Sequence, residues 1–300
     1  MRKTYLITGG YGFIGRNLSI FLKKKEPKCR IIKAPKRLNL INSKTTNNFF
    51  KNINFKIDYI FHLADVSGNK KWASQNSFYQ TFSNIQIHLN VISAWIKFKQ
   101  KAKFVFVSSL WAYPIGKKFL NEETYWGSPH VLYANFYAFT KKIASLLLKA
   151  AKKDYGLKSV TLVLGSTFGP GDKSNHFIPS IIRRIKKKPS KLIINGSGAE
   201  SRDFIFIDDQ IKAIYLHKDV NLEIINIGTG KLTTIKKIVN LLINIMNFKG
   251  KVVFKQKNDS DNDEKRGMSV KKANDLKGWP TKYNLMDLKK SLIFTVKEIK

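Results

Sequence analysis

Short apolar runs alternate with longer stretches in which apolar positions recur every three or four residues along the first two-thirds of the chain. The runs are Tyr5–Thr8, Arg30–Lys33, Tyr59–Leu63, Phe104–Ser108 and Val160–Leu164. The periodic stretches between them are Ile14–Lys24, Thr45–Phe50, Phe82–Phe98 and Tyr133–Lys153. A run of period two or of continuous apolar character reads as a strand, and a period of 3.6 reads as a helix. Strand–helix alternation predicts an α/β fold, a Rossmann-type doubly wound parallel sheet. The last third is less regular. It offers helical stretches at Ile178–Lys188, Asp208–His217 and near Thr234–Asn247, short strands around Leu192–Asn195 and Phe204–Ile207, and a polar, turn-rich stretch at Gln256–Gly267. No internal repeat or long linker divides the chain. We expect a nucleotide-binding domain over 1–168 and a smaller, interleaved C-terminal substrate lobe over 169–300, the boundary being nominal.

Composition narrows the class. With 43% hydrophobic residues in 300, the chain can bury a sizeable core. No apolar run approaches the roughly 18–20 residues that cross a bilayer. The N-terminal apolar run is too short for a signal peptide. The single cysteine, Cys29, forms no internal disulfide and no cysteine metal cluster. These features predict a cytoplasmic protein with no membrane partner. The formal charge of +35 suggests a polyanion binder, but only 8 of the 55 basic residues are Arg, the residue that makes bidentate base and phosphate contacts. The lysines are spread along the chain, and the run from Arg183 to Lys188 reads as a solvated helix end. We therefore read the charge as compositional and expect no specific nucleic-acid partner.

Thr8-Gly9-Gly10-Tyr11-Gly12-Phe13-Ile14-Gly15 follows the first strand directly and opens the first helix. Gly9, Gly12 and Gly15 are spaced three apart. Glycine permits the tight turn out of the strand, close approach of backbone to a pyrophosphate, and close packing of helix on strand. The helix N-terminus, at Phe13 and Ile14, supplies donors and a positive dipole end for phosphate. This Gly-x-x-Gly-x-x-Gly spacing resembles that of the short-chain dehydrogenase/reductases. Asp58-Tyr59-Ile60-Phe61-His62-Leu63-Ala64 resembles the family strand whose end, here Leu63 and Ala64, lies against the adenine and ribose side of the cofactor, and Asn84 and Asn90 match helix asparagines of the extended members. His62 is read as structural. The end of the second strand distinguishes the two nicotinamide cofactors. An acid there binds the ribose hydroxyls, and basic residues accept the extra phosphate. Ile31 to Arg37 holds no carboxylate but does hold Lys33 and Lys36. We favour NADP(H) over NAD(H).

Tyr137 and Lys141 stand at i and i+4, on one face of a helix. A nearby ammonium favours the phenolate and tunes the tyrosine to exchange a proton near neutral pH. Ser109 follows the strand Phe104–Ser108, in the register of the family's catalytic hydroxyl. We assign Tyr137 as acid/base, Lys141 as its electrostatic partner and ribose anchor, and Ser109 as the residue orienting the substrate oxygen. The apolar positions Ile143, Leu146 and Leu147 on the Tyr137 helix suit either core packing or the helix pairing of family homodimers.

Further runs resemble the nucleotide-sugar epimerase/reductase branch, of the GDP-fucose synthase and CDP-abequose synthase types. They are Phe168-Gly169-Pro170-Gly171-Asp172, Asn175-His176-Phe177-Ile178-Pro179, Ser201-Arg202-Asp203-Phe204-Ile205-Phe206 and Asn226-Ile227-Gly228-Thr229-Gly230. The resemblance implies a nucleotide-activated sugar as substrate and a place in cell-surface polysaccharide biosynthesis. It also implies binding roles for His176, Arg202 and Arg266, with the two arginines on the diphosphate. Three departures bear on the reaction. Trp111 stands where the fucose synthase type has its epimerising cysteine, Val163 and Ser166 replace the Arg and Asn before the Tyr-Gly-Pro turn, and no acidic pair follows Ser109 as dehydration requires. Reduction of a 4-keto sugar needs none of the missing groups. The alternatives are an NAD-dependent 4-epimerase and a non-catalytic NADP-binding scaffold.

Overall fold

The computed structural model describes residues 2–114, 119–127, 136–221, 223–255 and 265–299. The chain begins β1 (Thr4–Thr8), α1 (Phe13–Lys25), β2 (Arg30–Lys33), α2 (Ser43–Lys51), β3 (Tyr59–His62), α3 (Lys70–Gln75), α4 (Ser77–Phe98) and β4 (Lys103–Ser109). After β5 (Phe119–Leu120) come α5 (Phe136–Tyr155), β6 (Ser159–Leu164), β7 (Ser166–Phe168), α6 (Phe177–Lys186) and β8 (Lys191–Asn195). Then follow β9 (Ser201–Arg202), β10 (Phe204–Phe206), α7 (Ile207–His217), β11 (Ile224–Ile227), β12 (Thr233–Thr234) and α8 (Ile235–Ile245). The chain closes with β13 (Lys251–Lys255), β14 (Lys265–Met268), α9 (Lys271–Lys277) and α10 (Leu288–Glu298).

The central sheet has six strands in the order β11-β6-β4-β3-β1-β2, with β1 parallel to β2 and β3, and β3 parallel to β4. The doubly wound α/β fold is thus as expected. The strands nearest the site are buried on both faces, which is why they read as apolar runs without alternation. Leu6, Ile60 and Phe104 are register neighbours on one face and join Phe50 of α2, Val91 and Trp95 of α4, and Leu148 of α5 in one core. Helix starts follow local chemistry: Asn42 caps α2 by accepting from Thr45 N at 3.0 Å, and Thr234 caps α8 by accepting from Lys237 N at 3.1 Å. The helix expected from Tyr133 begins, within the described residues, at Phe136, and residues 133–135 lie outside them. The polar stretch expected as a turn over Gln256–Gly267 also lies largely outside them, but its end is strand β14.

Two compact units share the chain. The first comprises 1–113, 126–163 and 211–225; the second comprises 114–125, 164–210 and 226–300. In the first, α4 lies against both α2 and α5. In the second, β13 pairs in parallel with β8, and α8 packs on α6 and α10. Trp279 is fully buried there and donates from Nε1 to Gly228 O at 2.8 Å. The basic run ending α6 is not merely solvated. Arg183 donates to Ser174 O and Asn175 Oδ1, and Arg184 donates to Ile193 O. Neutral oxygens at loops and a strand edge therefore anchor these two guanidinium groups without cancelling their charge.

Candidate active site

The sheet order 2-1-3-4 reverses direction between β1 and β3. Ligands of such sheets bind at the carboxyl ends of the strands on either side of that reversal. The loop from Gly9 to Gly12 leaves β1 at this point. Gly9 has φ +68°, and a Cβ there would lie 2.7 Å from Ala64 N. A Cβ on Gly15 would lie 2.3 Å from Gly9 O, so only glycine lets α1 start this close to the strand it follows. Gly12 is the N-cap of α1, no side chain caps that end, and its first turn contains no acid. The free N–H groups and the dipole end suit a phosphate.

A cleft of about 460 Å³ opens here, lined by Gly9, Gly12, Lys36, Leu63, Ala64 and Asp65, among others. Its walls are pinned by the two helix asparagines. Asn84 accepts from Val66 N at 2.7 Å and donates to Val66 O at 2.9 Å, fixing the loop after β3. Asn90 donates to Leu40 O and Ile41 O at 3.0 and 2.8 Å, fixing the loop after β2. At the end of β2, the ammonium groups of Lys33 and Lys36 stand 5.4 and 5.5 Å from the centre of the Tyr11 ring. Phe13 and Ile14 are half-buried in the first turn of α1. The cleft therefore fits a dinucleotide: a glycine cradle, a bare helix start, and two cations flanking an aromatic ring.

His62 is structural, as read. It is buried, bonded at Nδ1 to Thr8 Oγ1 (2.7 Å) and at Nε2 to His88 Nδ1 (2.9 Å). Burial, reinforced by the Lys141 charge, pulls it down to about 3, so it is neutral.

Tyr137 and Lys141 lie on α5, and a carboxylate that the sequence reading did not single out brings them together. Tyr137 Oη donates to Asp65 Oδ2 at 2.7 Å, and Lys141 Nζ approaches the same oxygen at 2.7 Å. Lys141 is also anchored to Val107 O at 3.1 Å and lies 5.4 Å from the Tyr137 ring centre. Ser109, two residues beyond Val107, ends β4 and caps the turn Leu110–Ala112, its Oγ accepting from Trp111 N at 3.3 Å. That turn and β4 both pack on α5. The signal for Asp65 was present: an acid directly beyond a strand end, in a chain with only 20 acids.

The residues expected to bind substrate, His176, Arg202 and Arg266, lie in the second unit. Arg202 and Arg266 are register partners on the parallel strands β9 and β14, so their side chains leave the same face. Arg266 is buried. His176, the N-cap residue of α6, is exposed. Asp203, also not singled out, is fully buried and accepts from Thr229 N, Thr229 Oγ1 and Gly230 N at 2.7–3.0 Å.

Residues 5–228 match the sequence model of the NAD dependent epimerase/dehydratase family. The chain belongs to that family. Among members of the epimerase/dehydratase family and their structural relatives, a GDP-L-fucose synthase of Dictyostelium discoideum is 26% identical over 295 residues, covering 92% of this chain and 88% of that protein. A GDP-6-OMe-4-keto-L-xylo-heptose reductase from Campylobacter jejuni superposes with a TM-score of 0.86 at 23% identity, over 99% of this chain and 97% of its own. A GDP-mannoheptose C4 reductase from the same organism, with NADP bound, gives 0.85 at 24% identity, over 99% and 98%. No helix among the described residues is long and apolar enough to cross a membrane.

Proposed function

We propose that the chain is an NADP(H)-dependent reductase of a nucleotide-diphosphate 4-keto sugar. The observation that carries this reading is the Tyr137–Lys141 pair, one helical turn apart and held by Asp65 at the rim of the dinucleotide cleft. The glycines 9, 12 and 15 and the start of α1 would hold the pyrophosphate, with Leu63 and Ala64 on the adenine side. Lys33 and Lys36 would take the extra phosphate. When bound, the reduced cofactor supplies a hydride. Tyr137 gives the proton to the substrate oxygen, Ser109 orients that oxygen, and Lys141 bears the positive charge beside the phenol and anchors a ribose hydroxyl. The heptose reductases are named for the reduction of GDP-linked sugars, and this chain carries Tyr137, Lys141 and Ser109, the groups we assign to simple reduction. Trp111 leaves no thiol for an added epimerisation.

In this reading the second unit is the substrate lobe. Adjacent guanidinium groups on one strand face, Arg202 and Arg266, offer the bidentate donors that a diphosphate accepts, and His176 completes the sugar side. We place the enzyme in the cytoplasm, in cell-surface polysaccharide biosynthesis. We pair it as a homodimer through the exposed apolar side chains Phe78 and Phe82 of α4 and Leu146 of α5.

The test is NADPH oxidation with a panel of nucleotide-linked 4-keto sugars, GDP-linked ones first. Tyr137→Phe keeps the ring and removes the proton. Turnover should fall by roughly 10²–10⁴-fold with NADPH affinity and melting temperature unchanged. Retained turnover would remove Tyr137 from the reaction. Interconversion of 4-epimers without net NADPH use would replace the reductase reading by an epimerase.

A further inference from the structure

The Tyr137–Lys141 pair by itself would favour a phenolate, because the ammonium is the only charge beside the ring. Asp65 changes that arrangement. One of its oxygens, Oδ2, takes the Tyr137 hydroxyl and the Lys141 ammonium together, each at 2.7 Å. Its other oxygen, Oδ1, is buried and has no hydrogen-bond partner. The side chains are enclosed, Lys141 being 4% exposed and Asp65 12%, so solvent screens the three groups weakly. Asp65 lies directly after the strand end Leu63-Ala64 and lines the cofactor cleft.

Among the described residues, the charged and titratable groups around Tyr137 and Lys141 come from the loop after β3, from α5, from β3 and from α4. Asp65 faces it from the loop after β3, and Lys141 from its own helix, α5. Behind Lys141 stand His62 on β3 and His88 on α4, both held neutral by burial. Among the described residues, the charges against the phenol are one cation and one anion, and the anion is the hydrogen-bond acceptor. An acceptor carboxylate stabilises O–H over O⁻. Ionising the phenol would place two negative oxygens against one ammonium.

Resting on the reductase reading above, we propose that Asp65 is a positioning residue that keeps Tyr137 as the neutral phenol, the form that gives a proton to a ketone oxygen. Reduction begins from the phenol and oxidation begins from the phenolate. In the forward step the carbonyl carbon gains a hydride from the reduced nicotinamide, which is left as the oxidised pyridinium. The carbonyl oxygen gains the Tyr137 proton and becomes the alcohol. Tyr137 is left as a phenolate between Asp65 and Lys141 and recovers its proton from water. The carboxylate disfavours that phenolate and favours return of the proton to Tyr137. The accompanying cost is a weaker acid.

The experiment follows the ionisation of Tyr137 directly. The ultraviolet tyrosinate absorbance of the full chain, minus that of Tyr137→Phe, is titrated against pH in the Asp65 background and in Asp65→Asn and Asp65→Ala. Asp65→Asn keeps the shape and removes the charge; Asp65→Ala removes both. In both variants the Tyr137 midpoint should move to lower pH by at least about one unit, a tenfold change in the ionisation equilibrium. The alkaline limb of ketone reduction should move with it to lower pH. A merely structural Asp65 would change stability and leave the midpoint where it was. An unmoved midpoint in both folded variants overturns the proposal. A shifted midpoint with no 4-keto sugar reduced would leave Asp65's control of Tyr137 standing and sink the substrate reading instead.

Discussion

In the first unit, the interior holds bases that burial keeps neutral; in the second, it holds an acid that burial pushes toward its neutral form. His62 and His88 sit behind the strand ends that carry the cofactor loops, both far below the usual histidine range because desolvation, with Lys141 nearby, penalises the imidazolium. Asp203 sits under the loop Gly228–Gly230. Burial lifts it to about 6 even though Thr229 and Gly230 donate hydrogen bonds that favour the anion. The two units thus respond to pH with opposite sign. Each uses its buried group to tie distant segments together: β1 to β3 and α4 in one, β10 to the loop after β11 in the other.

The largest expected effect tests the histidine side. His62 is about 3 in the folded state against about 6.5 unfolded, a lowered base. Its stabilising contribution is complete above 6.5 and is lost as pH falls from 6.5 toward 3, where the unfolded chain binds a proton that the fold refuses. At 1.36 kcal/mol per pH unit, the loss amounts to about 5 kcal/mol across that window. Urea unfolding at several pH values, comparing the wild type with His62→Gln/His88→Gln, should show the acid slope only in the wild type. Identical slopes would mean that the pair does not titrate as a buried couple.

Next in size is Asp203. Its folded value, about 6, is raised above the ordinary carboxylate value of 3.8. The contribution is therefore present below 3.8 and lost as pH rises through 6, about 3 kcal/mol over the interval. Asp203→Asn leaves one of the donors from Thr229 or Gly230 poorly served and lowers stability at every pH. The diagnostic is the slope: between pH 4 and 7 the variant should be flatter than the wild type in the direction that removes a fall with rising pH. If both chains show the same slope, the four hydrogen-bond contacts outweigh burial and Asp203 is an ordinary anion.

The same contrast explains what the sequence exposed. The cofactor half was legible because its chemistry is local. Gly9 turns through a left-handed φ of +68° and Gly15 packs against Gly9 six residues before it, and Tyr137 and Lys141 share a face by helical period alone. Five strands of the central sheet were legible as apolar runs between periodic stretches, the mark of strands covered on both faces; their order was not. Asp65 escaped because its meaning depends on residues 72 and more positions away. Asp203 escaped because it meets Thr229, 26 positions on, and β11 because a four-residue strand, three isoleucines and Asn226, joined a sheet begun two hundred residues earlier. Arg202 and Arg266 could be matched by resemblance, yet their adjacency is a property of strand pairing across 64 positions that no local pattern encodes.

The smallest effect sharpens the comparison at the one place where the first unit meets its anionic ligand through exposed charge rather than buried groups. Lys33 ends β2 and Lys36 follows three residues on, both over the exposed Tyr11 ring, and no carboxylate stands among residues 31–37 to receive ribose hydroxyls. A phosphate on that ribose would meet two ammonium groups; a hydroxyl would meet no acceptor built for it. NADPH should therefore bind at least about tenfold more tightly than NADH, a gap of about 1.4 kcal/mol. Exposed charge is screened by salt, so the gap should narrow as ionic strength rises, unlike the buried-group effects above. Lys33→Ala/Lys36→Ala should weaken NADPH binding toward that of NADH and leave NADH affinity nearly unchanged, since the glycine cradle and the start of α1 serve both. Fluorescence titration of the two cofactors at low and high salt measures all three quantities. Equal affinities in the wild type, or a preference that survives both substitutions, would show that specificity is set elsewhere in the cleft.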